Sequence, residues 1–164
     1  MARTDLKNTP VQASDQPRAA VSPPTVFVAA IVLGVVLDLL VPVDLLPGAA
    51  QLSAGLPVIG FSVFLSAVSF RSFAKNGTTA GHKEKPVVLI TNGPFGYTRN
   101  PLYLSGLLLV LGFGFLLDSI WIFALTIPVM IIVHYGAVLK EEDYLLDHFG
   151  KEYEQYKTSV RRWI

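Results

Sequence analysis

The placement of basic residues divides this chain into charged and apolar parts. No lysine or arginine lies between Arg18 and Arg71, or between Arg99 and Lys140. Four apolar runs occupy most of these intervals, at 26–43, 56–73, 102–117 and 120–139. A helix that crosses a bilayer needs about 20 mostly apolar residues, with a range of roughly 17–25. The first, second and fourth runs meet this length, and the third is short but can gain a turn from the residues before it. We therefore expect an all-α membrane protein with four transmembrane helices.

The low charge of the chain argues against a soluble fold. Of the 164 residues, 52% are hydrophobic and 15% are charged, whereas soluble domains carry about 25% charged residues. The alternative is a bundle of buried soluble helices, but such helices show a polar stripe, and the run 102–117 has none. The polar, proline-containing segment 1–24 is predicted to be a flexible cytoplasmic tail, and 25–164 a single membrane-embedded domain.

Composition also removes several kinds of chemistry. The chain has no cysteine, which excludes zinc–thiolate sites and cysteine nucleophiles. Its sequence shows no cluster of metal-ligating residues, so no metal site is expected. The formal net charge of +1 gives no electrostatic reason to expect a nucleic-acid partner.

The basic residues also predict the orientation, because cytoplasmic loops of membrane proteins are enriched in lysine and arginine. All thirteen fall in the N-terminal tail, in 71–99 or after 139. Both termini are thus expected to be cytoplasmic, in a bacterial plasma membrane or, for a eukaryotic source, in the endoplasmic reticulum. The link 44–55 and the turn at Asp118 and Ser119 are expected outside, and this short turn makes the last two spans a tight hairpin.

The C-terminal segment has a different pattern from the spans. Apolar and aromatic residues recur there at helical spacing, while charged residues occupy the other faces. This pattern predicts an amphipathic helix at the cytoplasmic surface, although Gly150 weakens it locally. Its apolar face is formed by Leu145, Phe149, Tyr153 and Tyr156.

One candidate site lies where the third span begins. Pro101 suits the first turn of a helix, and Asn100 is placed to cap it. The free amide groups and the positive end of this helix attract an anion, and Arg99 adds a cation beside them. The alternative is an interfacial anchor of one arginine and the tyrosines Tyr97 and Tyr103.

A second candidate site lies where the fourth span is expected to end. Glu141 and Glu142 would be unfavourable at a helix C-terminus because they oppose the helix dipole, so an ammonium or sulfonium ligand is one explanation. The alternative is that they begin the solvated face of the last helix. The predicted hairpin places this pair close to Arg99 and Tyr103, and one pocket would then bind both ends of an amino acid headgroup.

Two further ionisable residues, His134 and Asp38, lie within the predicted spans. Such residues are functional candidates by default. His134 in the fourth span is more simply explained as a packing histidine. Asp38 near the end of the first span is expected to reach the outer interface.

Two motifs resemble those of a known family. The stretch GPFGYTRNPLYLSG at 93–106 resembles the signature GPY-x-x-x-RHP-x-Y-x-x-G of the isoprenylcysteine carboxyl methyltransferase and phospholipid methyltransferase family. The stretch EEDYLLDHFGKEYEQYKTSVRR at 141–162 is similar to the family tail EE-x-x-L-x-x-x-FG-x-x-Y-x-x-Y-x-x-x-VPR. The family histidine is Asn100 here, and the proline before the terminal arginine is Arg161, which leaves the role of Arg162 open.

The resemblance implies a membrane methyltransferase that uses S-adenosylmethionine at the cytoplasmic interface. It implies Arg99 and Glu142 as catalytic residues. The cofactor site that it implies consists of Gly93, Pro94, Tyr97, Arg99, Asn100, Tyr103, Glu141 and Glu142. In the phospholipid branch of the family, a Gly-x-Gly in the corresponding span also contributes, which here is Gly112 and Gly114.

The acceptor that the resemblance implies is lipophilic, either a prenylcysteine-like carboxylate or a lipid headgroup. The sequence carries no motif that chooses between these acceptors, or that sets an oligomeric state. Two other classes stay open: an NADPH-dependent membrane reductase, because sterol reductases share a similar C-terminal half, and a non-catalytic membrane protein that keeps the fold.

Overall fold

The computed structural model describes residues 21–77 and 88–164. The predicted N-terminal tail lies mostly outside these ranges. The described residues are helical and include no β-strand. In chain order the elements are α1 (Pro23–Leu40), α2 (Gly48–Lys75), a 3₁₀ turn (Gly93–Gly96), α3 (Pro101–Leu116), α4 (Ile120–Val133), a π-helical turn (His134–Val138), α5 (Leu139–Phe149) and α6 (Lys151–Ser159).

Three helices are long and apolar enough to cross a membrane: Pro23–Leu40, Gly48–Lys75 and the continuous helix Ile120–Phe149. The fourth apolar helix, α3, has 16 residues and is shorter than these. Within the most apolar 18 residues of each long helix, only 17–28% of residues are buried inside the protein. Such helices have no protein partner for most of their apolar surface, which is typical of helices that face lipid.

The boundaries of two helices differ from the predicted runs. Helix α2 begins at Gly48 instead of near 56, so most of the link expected at 44–55 forms the first two turns of α2. Pro57 lies inside this helix. At about 1.5 Å per residue its 28 residues extend roughly 42 Å. This length exceeds the roughly 30 Å of a bilayer's hydrocarbon core, so α2 is long enough for both ends to project into the headgroup regions.

The end predicted for the fourth run is wrong. The helix that begins at Ile120 continues through the π turn His134–Val138 to Phe149. Glu141 and Glu142 therefore lie in the first turn of α5, within a continuous helix, and the unfavourable dipole at a helix C-terminus does not apply to them. The predicted amphipathic helix is divided at Gly150, whose φ of 53° ends α5 and starts α6.

Helix α3 lies at the centre of the bundle, with α2 on one side and α1 and α4 on the other. Helices α1 and α2 both pack on α3 and share little direct contact with each other. Small residues bring α2 and α3 close together, since a Cβ added to Gly55 would lie 2.9 Å from the Leu116 nitrogen. The Ser62 hydroxyl donates to the Ser105 carbonyl oxygen at 2.7 Å across the same interface.

The turn between α3 and α4 closes the end of the bundle opposite the candidate site. Asp118 has a φ of 52° and is 6% exposed. Its carboxylate accepts hydrogen bonds from the backbone nitrogens of Leu45 and Leu46 at 2.9 and 3.1 Å, and from the Gln51 amide at 3.4 Å. These bonds tie the hairpin turn to the link between α1 and α2.

Candidate functional site

A cavity of about 460 Å³ lies at the end of the bundle where α2 ends and α3 begins. Residues of α1, α2, α3, α5 and α6 form its wall, together with the segment that precedes α3. Most of the wall is apolar, and it includes Phe27, Val28, Phe70, Phe73, Leu102, Leu109 and Leu145. The polar side chains are concentrated near the start of α3 and in the two C-terminal helices: Arg99, Asn100, Tyr103, Glu141, Glu142, Tyr153 and Tyr156.

An ion cluster adjoins this polar wall: Arg99 and Glu142 line the cavity, and Arg162, whose side chain is one third exposed, binds Glu142 from outside it. Arg162 donates from Nε and Nη2 to the two carboxylate oxygens of Glu142, each at 2.8 Å. Arg99 Nη1 lies 3.3 Å from Glu142 Oε1, and the side chains of Arg99 and Glu142 are 9% and 6% exposed. The hydrogen bond to Glu142 raises the pKa of Arg162. Two guanidinium groups thus share one carboxylate, and the cluster carries a formal charge of +1.

The excess positive charge lies beside the cavity at Arg99. Its Nε is buried and has no hydrogen-bond partner within residues 21–77 and 88–164. Among the described residues, Nη1 has the 3.3 Å ion pair with Glu142 and no hydrogen bond, and the guanidinium also contacts the Tyr153 side chain. A buried donor without a partner costs about 1–3 kcal/mol or more when it is charged. An anionic group bound in the cavity would remove this cost and would neutralise the cluster.

Glu141 and Tyr103 form a second polar pair in the wall. The Tyr103 hydroxyl donates to Glu141 Oε2 at 2.8 Å, and both residues line the cavity. The predicted proximity of the start of α3 to the two glutamates is confirmed by this bond and by the Arg99–Glu142 ion pair. The α3–α4 hairpin produces it, since residues 38 and 43 positions apart in the chain meet at one end.

The C-terminal tail is bound to the segment that enters α3. The Arg99 nitrogen donates to the Arg161 carbonyl oxygen at 3.0 Å. The Thr98 hydroxyl and the Asn100 amide both donate to the Arg162 carbonyl oxygen, at 3.1 and 2.9 Å. The expectation that Asn100 caps α3 is therefore wrong: it occupies the N-cap position, but its side chain binds the tail instead of the helix.

Two tyrosines of α6 complete the wall. Tyr153 is 1% exposed, and burial raises its pKa to about 12. The Tyr156 hydroxyl donates to the Phe95 carbonyl oxygen at 2.7 Å, which joins α6 to the 3₁₀ turn before α3. The sequence predicts only that these two residues lie on the apolar face of a surface helix. Their helical spacing indicates that they share one face, but the cavity that this face covers depends on tertiary packing.

Other predicted residues lie outside the cavity. Gly93 and Pro94 belong to the 3₁₀ turn, where the φ of 60° at Gly93 favours glycine. Tyr97 is 85% exposed, and neither it nor these two residues lines the cavity. Gly112 and Gly114 lie in α3 against Ile59 and Phe123, away from the charged residues.

The two isolated ionisable residues are also separate from the cavity. The His134 ring lies in the π turn, 6.2 Å from the Trp163 ring, and its Nδ1 has no hydrogen-bond partner in the described part of the chain. Asp38 lies near the end of α1 and is partly buried. The contacts give neither residue a role in the candidate site.

Sequence reasoning missed the contribution of Arg162 to the cluster. Arg162 lies 20 positions after Glu142 and 63 after Arg99, so only the folded tail brings the three together. The two terminal arginines were a signal, but the sequence alone does not indicate which of them turns inward. Arg162 binds Glu142, whereas the Arg161 side chain is exposed.

Apolar helices of membrane-spanning length and a charged cavity at one end are features of a helical membrane protein that binds a small ligand. Residues 50–152, more than half of the chain, match the phospholipid methyltransferase family model, and the chain belongs to this family.

Three relatives show the same similarity over shorter segments. The protein-S-isoprenylcysteine O-methyltransferase of Schizosaccharomyces pombe is 32% identical over 81 residues, which are 49% of this chain and 34% of that protein. The nickel-cobalt-cadmium resistance protein NccN of Alcaligenes xylosoxydans is 32% identical over 72 residues, 44% of this chain and 33% of the relative. An uncharacterised Haemophilus influenzae protein is 35% identical over 63 residues, 38% of this chain and 100% of its own length.

The matched segments thus span about a third of the length of the two named relatives. No solved structure matches the chain. The family and the isoprenylcysteine methyltransferase relative together point to a membrane methyltransferase.

Proposed function

We propose that this protein transfers a methyl group from S-adenosylmethionine to a lipophilic acceptor at the cytoplasmic face of a membrane. The observation that carries the proposal is the buried Arg99, whose Nε lacks a hydrogen-bond partner among the described residues and whose ion cluster has a formal charge of +1. This cation adjoins a largely apolar cavity, and the Glu141–Tyr103 pair lines the same cavity.

The residues present fit the amino acid end of the cofactor. Arg99 would hold the carboxylate, because a guanidinium forms paired hydrogen bonds with a planar anion. Glu141 would hold the ammonium group, and the Tyr103 hydroxyl fixes the orientation of its carboxylate. Gly93 and Pro94 would act indirectly, since their turn positions Phe95 in the cavity wall. Tyr97 would contact the cofactor only if this turn moved inward.

When bound, S-adenosylmethionine supplies a methyl group on a sulfonium centre that is open to in-line attack by a nucleophile. The work of the protein is then mainly to position the reactants. Arg99 and Glu141 would fix the amino acid end, and the aromatic walls near Tyr103 and Tyr153 would favour a cation. The apolar wall formed by α1, α2 and α3 would accept the lipophilic acceptor and keep water from the reacting atoms.

The choice of acceptor determines whether a base is needed. A carboxylate acceptor is already a nucleophile, so it requires no proton transfer. A hydroxyl or protonated amine acceptor must lose a proton, so it requires a base.

We also propose that α3 is a fourth span and that both termini are cytoplasmic. The absence of cysteine in the chain allows single cysteines to be placed at two exposed positions. Ser53→Cys near the start of α2 should react with an impermeant reagent from outside. Gln155→Cys in α6 should react only after the membrane is opened. The opposite pattern would refute the orientation.

The test of the function is methyl transfer in membranes that contain the protein. Membranes are incubated with methyl-labelled S-adenosylmethionine, and the lipid fraction is analysed for label. Label that appears in a lipid only when the membranes contain the intact protein supports the proposal. Binding of NADPH without binding of S-adenosylmethionine would favour the reductase alternative, and binding of neither would favour a non-catalytic role.

Variants of the site make this test specific. Glu141→Gln removes a charged hydrogen-bond partner, and such bonds contribute about 1.5–3 kcal/mol. Cofactor affinity should therefore fall roughly ten- to a hundredfold. Arg99→Lys keeps the charge but loses the planar fork, so methyl transfer should also fall. Glu152→Gln and Glu154→Gln on the exposed side of α6 are matched controls, expected to change little.

A further inference from the structure

The ion cluster beside the cavity contains more positive charge than its carboxylate can neutralise. Glu142 is the acidic member, and Arg162 and Arg99 are the two cations. The two pairings are unequal, because Arg162 forms a two-bond fork at 2.8 Å whereas Arg99 makes a single contact at 3.3 Å. Glu142 is therefore engaged mainly by Arg162.

We propose that Arg162 is a positioning residue that limits Glu142 to a single 3.3 Å contact with Arg99 and so keeps the rest of the Arg99 guanidinium available for the carboxylate of the cofactor. The proposal rests on the proposed function and names a specific role for the C-terminal tail within it. Glu142 acts here through the two arginines and does not itself contact the cofactor.

The charge balance of the cluster, in which Arg99 and Glu142 are buried and Arg162 is one third exposed, explains why this matters. With Arg162 present, two cations face one anion, and the remaining positive charge attracts a carboxylate. Without Arg162, Glu142 would turn fully to Arg99, and the present single contact would become a closer, neutral pair, because a buried carboxylate requires hydrogen-bond partners. Arg99 would then be occupied by an internal anion, and an incoming carboxylate would have to displace it.

The backbone of the tail supports this positioning. The Arg162 carbonyl oxygen accepts hydrogen bonds from Thr98 and Asn100, the two residues on either side of Arg99. The Arg161 carbonyl oxygen accepts a bond from the Arg99 nitrogen. The same short C-terminal segment thus fixes the backbone at Arg99 and places the guanidinium of Arg162 on Glu142.

The inference is tested by comparing two ligands in calorimetric titrations of the purified full-length protein. S-adenosylhomocysteine carries the amino acid group, and 5′-methylthioadenosine lacks it. Arg162→Gln should weaken binding of S-adenosylhomocysteine roughly ten- to a hundredfold, the effect of one charge-assisted interaction. It should change binding of methylthioadenosine less than about twofold, within ordinary surface-mutation effects. Arg161→Gln, at the neighbouring exposed side chain, is the matched control and should affect neither ligand.

The double variant Arg162→Gln/Glu142→Gln separates this role from a purely structural one. It removes one cation and the anion together, which restores the formal charge of +1 at Arg99. Binding of S-adenosylhomocysteine should return to within a few-fold of the unmodified protein. If Glu142 instead bound the ammonium group directly, the double variant would bind no better than Arg162→Gln.

Three results would overturn the inference: equal losses for the two ligands in Arg162→Gln, unchanged affinity in that variant, or no recovery in the double variant. Failure of the proposed function has a different signature. In that case the unmodified protein would bind neither ligand, and the inference would be lost with the function on which it rests.

Discussion

Replacement of Gly106 by alanine tests the packing of α1 against α3. A Cβ added at Gly106 would lie 2.1 Å from Phe27 Cε2, 2.5 Å from Cζ and 2.6 Å from Cδ2. Ordinary contacts between carbon atoms begin at about 3.5 Å, so the ring would have to withdraw by roughly 1.4 Å. Phe27 is 8% exposed and packs in the core that includes Val110 and Ile122. Its ring also borders the cavity, so it must move either against this core or into the cavity.

The size of the effect follows from the cost of overpacking a core. Extra methyl groups in well-packed cores cost about 1–3 kcal/mol, and each kcal/mol lowers the melting temperature of a chain this long by about 2–4 °C. Gly106→Ala should therefore lower the melting temperature by roughly 2–12 °C. The intrinsic fluorescence of Trp121 and Trp163 reports the transition in a single detergent.

Two further variants make the experiment decisive. Gly60→Ala is the control, because a Cβ added there meets nothing within 4 Å, and its melting temperature should be unchanged or higher. Phe27→Leu combined with Gly106→Ala should lose less stability than the sum of the two single changes, since the smaller side chain relieves the clash. A melting temperature of Gly106→Ala equal to that of the unmodified protein would refute this packing of α1 on α3.

Three other changes give distinct expectations. Asp118→Ala removes the acceptor of the bonds to the outer link and should lower the melting temperature by several degrees, whereas Asp118→Asn should cost less because asparagine keeps an acceptor and tolerates a positive φ. Tyr103→Phe removes one hydrogen bond to Glu141 and should weaken binding of S-adenosylhomocysteine by a few-fold to tenfold in calorimetry. Unchanged affinity would show that this hydrogen bond does not contribute to ligand binding. Burial raises the pKa of Tyr153 to about 12 from an ordinary value of 10.0. Its contribution to stability is therefore full below pH 10 and is lost as the pH rises toward 12. The melting temperature of Tyr153→Phe should depend less on pH in this range than that of the unmodified protein.

The sequence predicted those features that depend on local composition. The four apolar runs correspond to helices because uninterrupted apolar residues leave no other way to satisfy the backbone in a bilayer. The short turn at Asp118 brought Arg99 and Glu142 to one end because a tight hairpin leaves little freedom in how its arms align. The observed 3.3 Å contact between them is a consequence of this connection.

The orientation of the glutamates could not be predicted from a regular helical period. Between Val133 and Glu142 there are nine steps of about 100°, which would place them on opposite faces of an ideal α-helix. Val133 and Glu142 are nevertheless both buried. The π turn between these two residues accommodates one extra residue, which rotates Glu142 about the helix axis by roughly 100° relative to its position in an ideal α-helix. No single residue type specifies such a turn, so its position depends on how α4 and α5 pack.

The role of the tail likewise required the folded structure. Asn100 is a good N-cap residue by local chemistry, yet its amide binds the Arg162 carbonyl oxygen. A contact between residues 62 positions apart outweighs the local preference here.

The sparse contact between α1 and α2 has a consequence for every measurement on the site. Val28 of α1 and Phe70 of α2 both line the cavity, yet they are 60% and 53% exposed. Between α1 and α2 the cavity is therefore open to the surroundings of the protein. In a bilayer the acyl chains of neighbouring lipids would close this opening. The apparent affinity for the proposed hydrophobic acceptor should then depend on the surrounding amphiphile, and values measured in micelles, nanodiscs and native membranes should differ even for an unchanged polypeptide.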